Sequence, residues 1–319
     1  MMSVSSMQNY EQRINQLVAT ATGLPTLPGV AVQIITAVND EDADVESLVR
    51  ILQCDPALTA KILRVANSPI FGSRRGVESL QQAIVMLGMK AAHSLALSFS
   101  LISALKLQST GALDYELYWR RCLLTANAAK QVAARIMPID KEAVFLAALM
   151  QNLGMMVLDR VMPELYKILP CPQADDQALE AYELETCGVS HAIIGEWMAK
   201  EWGFSERMQS AAGYSHKLES LESAGSDRKF VCCVALGVKV ADMMMSPPAE
   251  CDLSAVCEYA AKWLDISDVD VGVIVQALTQ SIPAFERVFD TRLLDQEKLQ
   301  IISDLAREKH AELRAAANH

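Results

Sequence analysis

Residues 147 to 158, AALMQNLGMMVL, are apolar except for two adjacent amides, Gln151 and Asn152. Amide side chains exchange hydrogen bonds and can offer a carbonyl oxygen to a hard cation, but they bring no charge and no titrating proton. Set between Met150 and Leu153, they are either polar residues on one side of a helix or the occupants of positions where related proteins keep reactive groups. Other chemistry-bearing residues are sparse. Cysteines stand at 54, 122, 171, 187, 232, 233, 251 and 257 with no CxxC pair. That scatter fits reduced thiols of a cytosolic protein better than a disulfide framework or a zinc site. Cys122 follows Arg121, whose charge would depress the thiol pKa unless the residue simply packs on an apolar helix. His93 lies in an apolar segment without an evident partner, and His310 and His319 carry no assigned role. No P-loop, dinucleotide-binding fingerprint or GxSxG elbow is present in the sequence.

The elements that must carry these residues read as helices throughout. The chain has 319 residues, room for two domains of ordinary size, and is 51% hydrophobic and 21% charged. Fifteen Met against seven Phe, seven Tyr and four Trp tilt local preference toward helix and away from strand. Val45, Leu48, Val49 and Leu52 share one helical face. Asp55 then caps a helix with Pro56 at its first position, Leu58, Ile62, Val65 and Ala66 form the buried stripe, and Asn67-Ser68-Pro69 ends it. Leu80, Ala83, Ile84 and Leu87 repeat the pattern, closed by Gly88. Further helices are expected from Tyr115 to Ala134, from Lys141 to Leu158, through VSHAIIGEWMAKEW, from Met208 to His216 and through FVCCVALGVKVADMMM, with LPCPQADDQ and SPPAECD as separators. A last amphipathic helix runs through Leu299, Ile302, Ala306 and Leu313. Met155–Met156 and Met243–Met245 read as core filler. The window AIVMLGMKAAHSLALSFSLISAL contains Lys90 and His93 and reads as two packed helices around Gly88, not as a membrane span. No strand pattern emerges, so the expected fold is all-α.

Three stretches in fixed order carry more than helix signals: LPTLPGVAVQIITAV, CDPALTAKILRVANSPIFG and SLQQAIVMLGMKAAHSLAL. Together they resemble the HDOD family, a bacterial regulatory branch of the HD superfamily of metal-dependent phosphohydrolases. Asp55-Pro56 and Asn67-Ser68 are the most specific elements, and the resemblance covers roughly residues 20 to 245. It implies a multi-helix HD-like bundle: an N-terminal lobe over residues 1–110, a degraded HD-like lobe over 111–245, and a C-terminal helical extension over 250–319. Catalytic HD proteins hold a divalent metal through a His, a His-Asp pair, further His residues and a later Asp. By the same resemblance, Gln151 and Asn152 stand where the His-Asp pair would be, Arg121 stands at the first ligand, and His191, His216 and Asp242 are retained.

Such substitutions weaken a metal site. Amides bind cations weakly, and a guanidinium stays protonated and has no lone pair to give. One charge against two at about 4 Å and an effective dielectric near 20 is repulsive by roughly 8 kcal/mol. Arg121 is instead expected to pair with Asp242 inside the former pocket, and no cofactor is expected. The resemblance thus implies a non-catalytic signal-transduction protein whose partner is another protein of bacterial signalling. Two alternatives remain: a residual phosphohydrolase using His191, His216 and Asp242 with metal, and a pseudoenzyme binding a nucleotide or phosphorylated ligand through Arg121. The net charge of −11 and a pI near 5.0 disfavour nucleic acid as a partner. The first residues turn polar too early for a secretory signal, so a cytoplasmic protein without membrane attachment is expected.

Overall fold

The computed structural model describes residues 10, 12–17, 26–40, 43–68, 76–106, 112–136, 139–167, 176–221 and 227–316, with backbone alone at 106 and 310–316. Pro69, Arg74, Arg75, Cys171, most of LPCPQADDQ, the side chains of Leu313 and His310, and His319 therefore lie outside the described residues. All regular structure among the described residues is helical. Residues 12–17 are helical, and from Gly29 onward the helices are α1 (Gly29–Val38), α2 (Val45–Gln53), α3 (Pro56–Ala66), α4 (Leu80–Leu87) and α5 (Met89–Lys106). The next are α6 (Tyr115–Arg135), α7 (Lys141–Met150), α8 (Leu153–Val161), α9 (Asp176–Cys187), α10 (His191–Glu201) and α11 (Glu206–Tyr214). The chain then forms α12 (Arg228–Met245), α13 (Ser254–Leu264), α14 (Asp268–Phe289) and α15 (Gln296–Ala316).

Starts and stops follow local chemistry. Asp55 Oδ1 accepts from the Ala57 and Leu58 amides with Pro56 leading α3, and Asn67 sits at its C-cap. The Asn67 amide also clamps the far side of the following connection, bonding both the N–H and the carbonyl of Val77. Asp44, Ser79, Asp114, Asp140, Ser190 and Ser267 cap their helices in the same way. Gly88, at φ +82°, separates α4 from α5, which are bent 113° from one another.

One expected helix is two. The stretch expected to run from Lys141 to Leu158 breaks into α7 and α8 at a turn on Gln151 and Asn152, and continues to Val161. The two together are long and apolar enough to cross a membrane, yet 89% of that window is buried inside the fold. Its apolar surface is satisfied by neighbouring helices.

Helix α6 is the axis of the molecule. It is buried around nearly its whole circumference and packs against α7, α12 and α14. The α6–α12 crossing is close because Gly237 faces Ala129: a Cβ added there would stand 2.8 Å from the Ala129 backbone nitrogen. Helices α1 to α5 pack on one another, and α5 joins them to α7. The apolar core is continuous from Ile14 to Ala306. Met155, Met156, Met243 and Met244 are buried in it.

Candidate functional site, a buried arginine–histidine cluster

The centre of the site is Arg121, on the inner face of α6. Its side chain is 3% exposed. Nη1 and Nη2 donate to the two carboxylate oxygens of Asp176 at 2.9 and 2.7 Å, a bidentate pair. Nε and Nη2 donate to Asp242 Oδ1 at 2.9 and 2.7 Å. The pair with Asp242 matches the expectation above; the stronger clamp on Asp176 was not foreseen. Burial alone would lower the guanidinium pKa, but the two carboxylates raise it, so the charge is permanent. Burial would likewise raise the Asp176 pKa, yet Arg121 and His216 hold it well below the usual carboxylate range. Asp242 is 36% exposed at its side chain, so water carries part of its charge and its pull on Arg121 is the weaker one.

Two histidines complete the cluster. His216 Nδ1 lies 3.0 Å from Asp176 Oδ2, and Nε2 lies 3.0 Å from Asn152 Oδ1. His191, the first residue of α10, places Nδ1 2.7 Å from Glu183 Oε2, and the same oxygen accepts from the His191 backbone N–H. Complete burial works to lower the His191 pKa, but the Glu183 carboxylate outweighs it and raises the value above that of an ordinary histidine. The two rings meet edge to face with centroids 5.2 Å apart. Gln151 Oε1 accepts from the Ser215 hydroxyl at 2.7 Å. Both amides are 1% exposed, so they are interior polar groups and not the solvated side of a helix.

The backbone makes this juxtaposition possible. A Cβ on Gly154 would come within 1.9 Å of the His191 carbonyl oxygen and 2.9 Å of the Gly195 nitrogen. Only glycine lets α8 lie on α10 this closely, which brings the Gln151–Asn152 turn to the start of α10. Ser190 caps α10 and bonds Glu180 Oε2, which also accepts from Lys217.

Three functional groups were absent from the sequence reading: Asp176, Glu180 and Glu183. They stand at i, i+4 and i+7 on α9, one face of one helix, and all three are buried. That spacing was a readable signal, hidden because Asp176 lies inside the stretch taken as a separator. Cys122 takes the packing alternative of the two weighed above. Its thiol is pushed up to about 12, because complete burial outweighs the neighbouring Arg121. His93 is buried with an unbonded Nε2 and lies away from the cluster, facing α1, α7 and α11. Asp55, Pro56, Asn67 and Ser68 belong to the ends of α3 and stand apart from it as well.

The donor set can be weighed against a divalent ion. Asp176, His191 and His216 each offer one ligand atom within 4.8 Å of the others. His191 Nε2 has no hydrogen-bond partner and is backed by Glu183, as a metal-binding imidazole would be. Against this, both oxygens of Asp176 are held by a guanidinium, and His216 faces Asp176 and Asn152 with its two nitrogens. A dication at this point would sit against a fixed cation. The set fits a charge-balanced hydrogen-bonded cluster better than a catalytic metal centre.

The HDOD domain model matches residues 24–218 of the chain. The chain belongs to the HDOD family. The HDOD match takes in His191 and His216 and ends before Asp242. A crystal structure of an HDOD domain protein of unknown function from Geobacter sulfurreducens superposes with a TM-score of 0.70, at 22% identity over 89% of this chain and 98% of that one. A provisionally named phosphohydrolase of Shewanella amazonensis SB2B gives a TM-score of 0.69, at 21% identity over 92% and 99% of the two chains. At these identities the likeness is one of fold. An uncharacterized protein of Treponema pallidum (strain Nichols) is 25% identical over 200 residues, 61% of this HDOD chain and 38% of the relative, so the chain spans well under half of that relative's length.

Proposed function

We propose that this HDOD protein is a non-catalytic regulatory component of bacterial signalling, cytoplasmic, that works through contacts with another protein. The observation that carries this reading is the Arg121 guanidinium bonded to Asp176 and Asp242. A fixed positive charge takes the role a metal would have in balancing the acids, and it cannot activate water, because it has no open coordination position and no proton to release near neutral pH. Asn152 and Gln151 supply hydrogen bonds where a ligating pair would supply charge. In this reading the lobes over 1–110 and 111–245 present helical surfaces, and a partner bound near their junction alters exposure of the N-terminal helices. Cys54 exposed and unpaired, and Cys122, Cys187, Cys232, Cys233 and Cys257 buried and unpaired, favour a reducing compartment.

One observation favours a residual phosphohydrolase: the unbonded His191 Nε2 near Asp176 and His216. Gripping of phosphate by Arg121 itself has less support, since a phosphate would have to displace a buried bidentate carboxylate. Metal analysis separates the readings. Protein purified without chelator from cells supplied with manganese, iron and zinc is expected to carry far less than one equivalent of metal and to show no metal-dependent hydrolysis of phosphomonoesters or cyclic nucleotides. Near-stoichiometric metal, lost on His191→Ala, would overturn the non-catalytic reading.

A further inference from the structure

A cleft of about 890 Å³ opens beside the cluster, where α6 and α12 meet the start of α15. This is the size of a small-molecule site. Arg121 and Asp242 line its inner end, and Lys298 lines it from the C-terminal helices, beyond the residues matched by the family. Lys298 is 5% exposed, and its Nζ has no hydrogen-bond partner. An ammonium taken out of water without an acceptor is a costly arrangement. Its position makes matters worse, because it lies in the first turn of α15, where the amide groups already project positive charge. The backbone there is pinned by Asp295, whose Oδ1 accepts from the Lys298 N–H at 2.7 Å.

Two further cations line the same cleft. Arg120 donates through Nε and Nη2 to the Leu293 carbonyl at 3.3 and 2.9 Å, and no carboxylate pairs with it among the described residues. Lys239, one turn before Asp242 on α12, also forms no salt bridge there. Four acids line the cleft too: Asp242, Glu250, Asp252 and Asp295. Asp242 is engaged by Arg121, Asp295 by the α15 amide, and Asp252 by the Ser254 N–H at 2.9 Å. Glu250 is exposed. The acids thus have compensating partners or water, whereas Lys298 has no acceptor, Arg120 has only a backbone carbonyl, and Lys239 has only the charge of nearby Asp242.

We propose that this cleft binds a phosphate-bearing small molecule, with Lys298, Arg120 and Lys239 donating to its phosphoryl oxygens. One phosphoryl group has enough acceptor positions to meet three such donors at once, and charge-assisted bonds of this kind are the strong ones. The site uses none of the bonds that hold Arg121, and it stands whether or not the neighbouring cluster has any turnover. Occupancy would tie α15 to α6 and α12, linking the C-terminal helices to the family fold.

The test uses the full chain and inorganic pyrophosphate, with sodium chloride of matched ionic strength as control. Pyrophosphate is expected to raise Tm in a concentration-dependent way that the chloride control does not reproduce. Lys298→Met is expected to leave the free protein at least as stable as wild type, because it removes an uncompensated charge, and to weaken pyrophosphate binding by about tenfold or more in calorimetry. Should that variant fail to fold, Lys239→Gln, at a half-exposed position, is expected to weaken binding without loss of structure. No response of the wild-type protein up to millimolar pyrophosphate would overturn the proposal. So would variants that bind as tightly as wild type.

Discussion

Asp176 meets the Arg121 guanidinium at 2.7 Å and the His216 ring at 3.0 Å, in an interior where its own side chain is 4% exposed. Charges buried this deeply are tolerated only as a set, and removing one member leaves the others uncompensated. Arg121→Met keeps much of the volume but strands Asp176, and is expected to destabilise the fold by about 3–5 kcal/mol. Asp242, more than a third exposed, regains water and adds little to that loss. Urea denaturation reads the effect as a lowered midpoint at unchanged slope; a midpoint within error of wild type would mean that Asp176 does not depend on Arg121. At this scale the sequence made Arg121, Gln151, Asn152, His191, His216 and Asp242 legible through the family pattern. It left out Asp176, Glu180 and Glu183, because their meaning lies in which neighbour they face.

Several helix boundaries marked by a capping side chain or glycine were read well: Asp55-Pro56 at the start of α3, Gly88 after α4, and the starts at Tyr115 and Lys141, which Asp114 and Asp140 cap. The break between α7 and α8 was missed for a physical reason. Gln151 keeps helical dihedrals, φ −57° and ψ −29°, so the apolar periodicity runs on almost undisturbed across the turn. The crossing of α8 on α10 is governed by Gly154, which touches the backbone of His191. Gly154→Ala forces two main chains apart and cannot be absorbed by a rotamer change, so a loss of about 2–3 kcal/mol is expected. Gly29→Ala, with nothing within 4 Å of the added Cβ, is the control and is expected to be near neutral. Thermal unfolding of the pair decides the matter: equal Tm values would show that the crossing has more room than the geometry implies.

Three regions of the chain meet at Phe289. Its ring lies 5.0 Å from Phe99 of α5, 6.4 Å from Phe145 of α7 and 4.6 Å from Phe285 one turn earlier on α14. Asn127 and Ser281 add a hydrogen bond between α6 and α14 at 2.9 Å. The C-terminal helices therefore share the core of the family fold. Phe289→Ala is expected to cost about 2–3 kcal/mol, below the full-burial range because the ring is half-buried, and to shift one cooperative transition as a whole. A new early transition confined to the C-terminal helices, seen by hydrogen exchange, would show instead that they unfold on their own. By itself, the sequence determined that the protein is helical, where most helices begin and end, and which family it resembles, because caps, glycines and apolar periodicity act within a few residues. Only the tertiary structure decided that Arg121 bonds Asp176, that the two amides are interior, that the Cys122 thiol is pushed up and not down, and that Lys298 is buried beside the Arg121 cluster. Those outcomes depend on burial and on partners far away in the chain, and local sequence encodes neither.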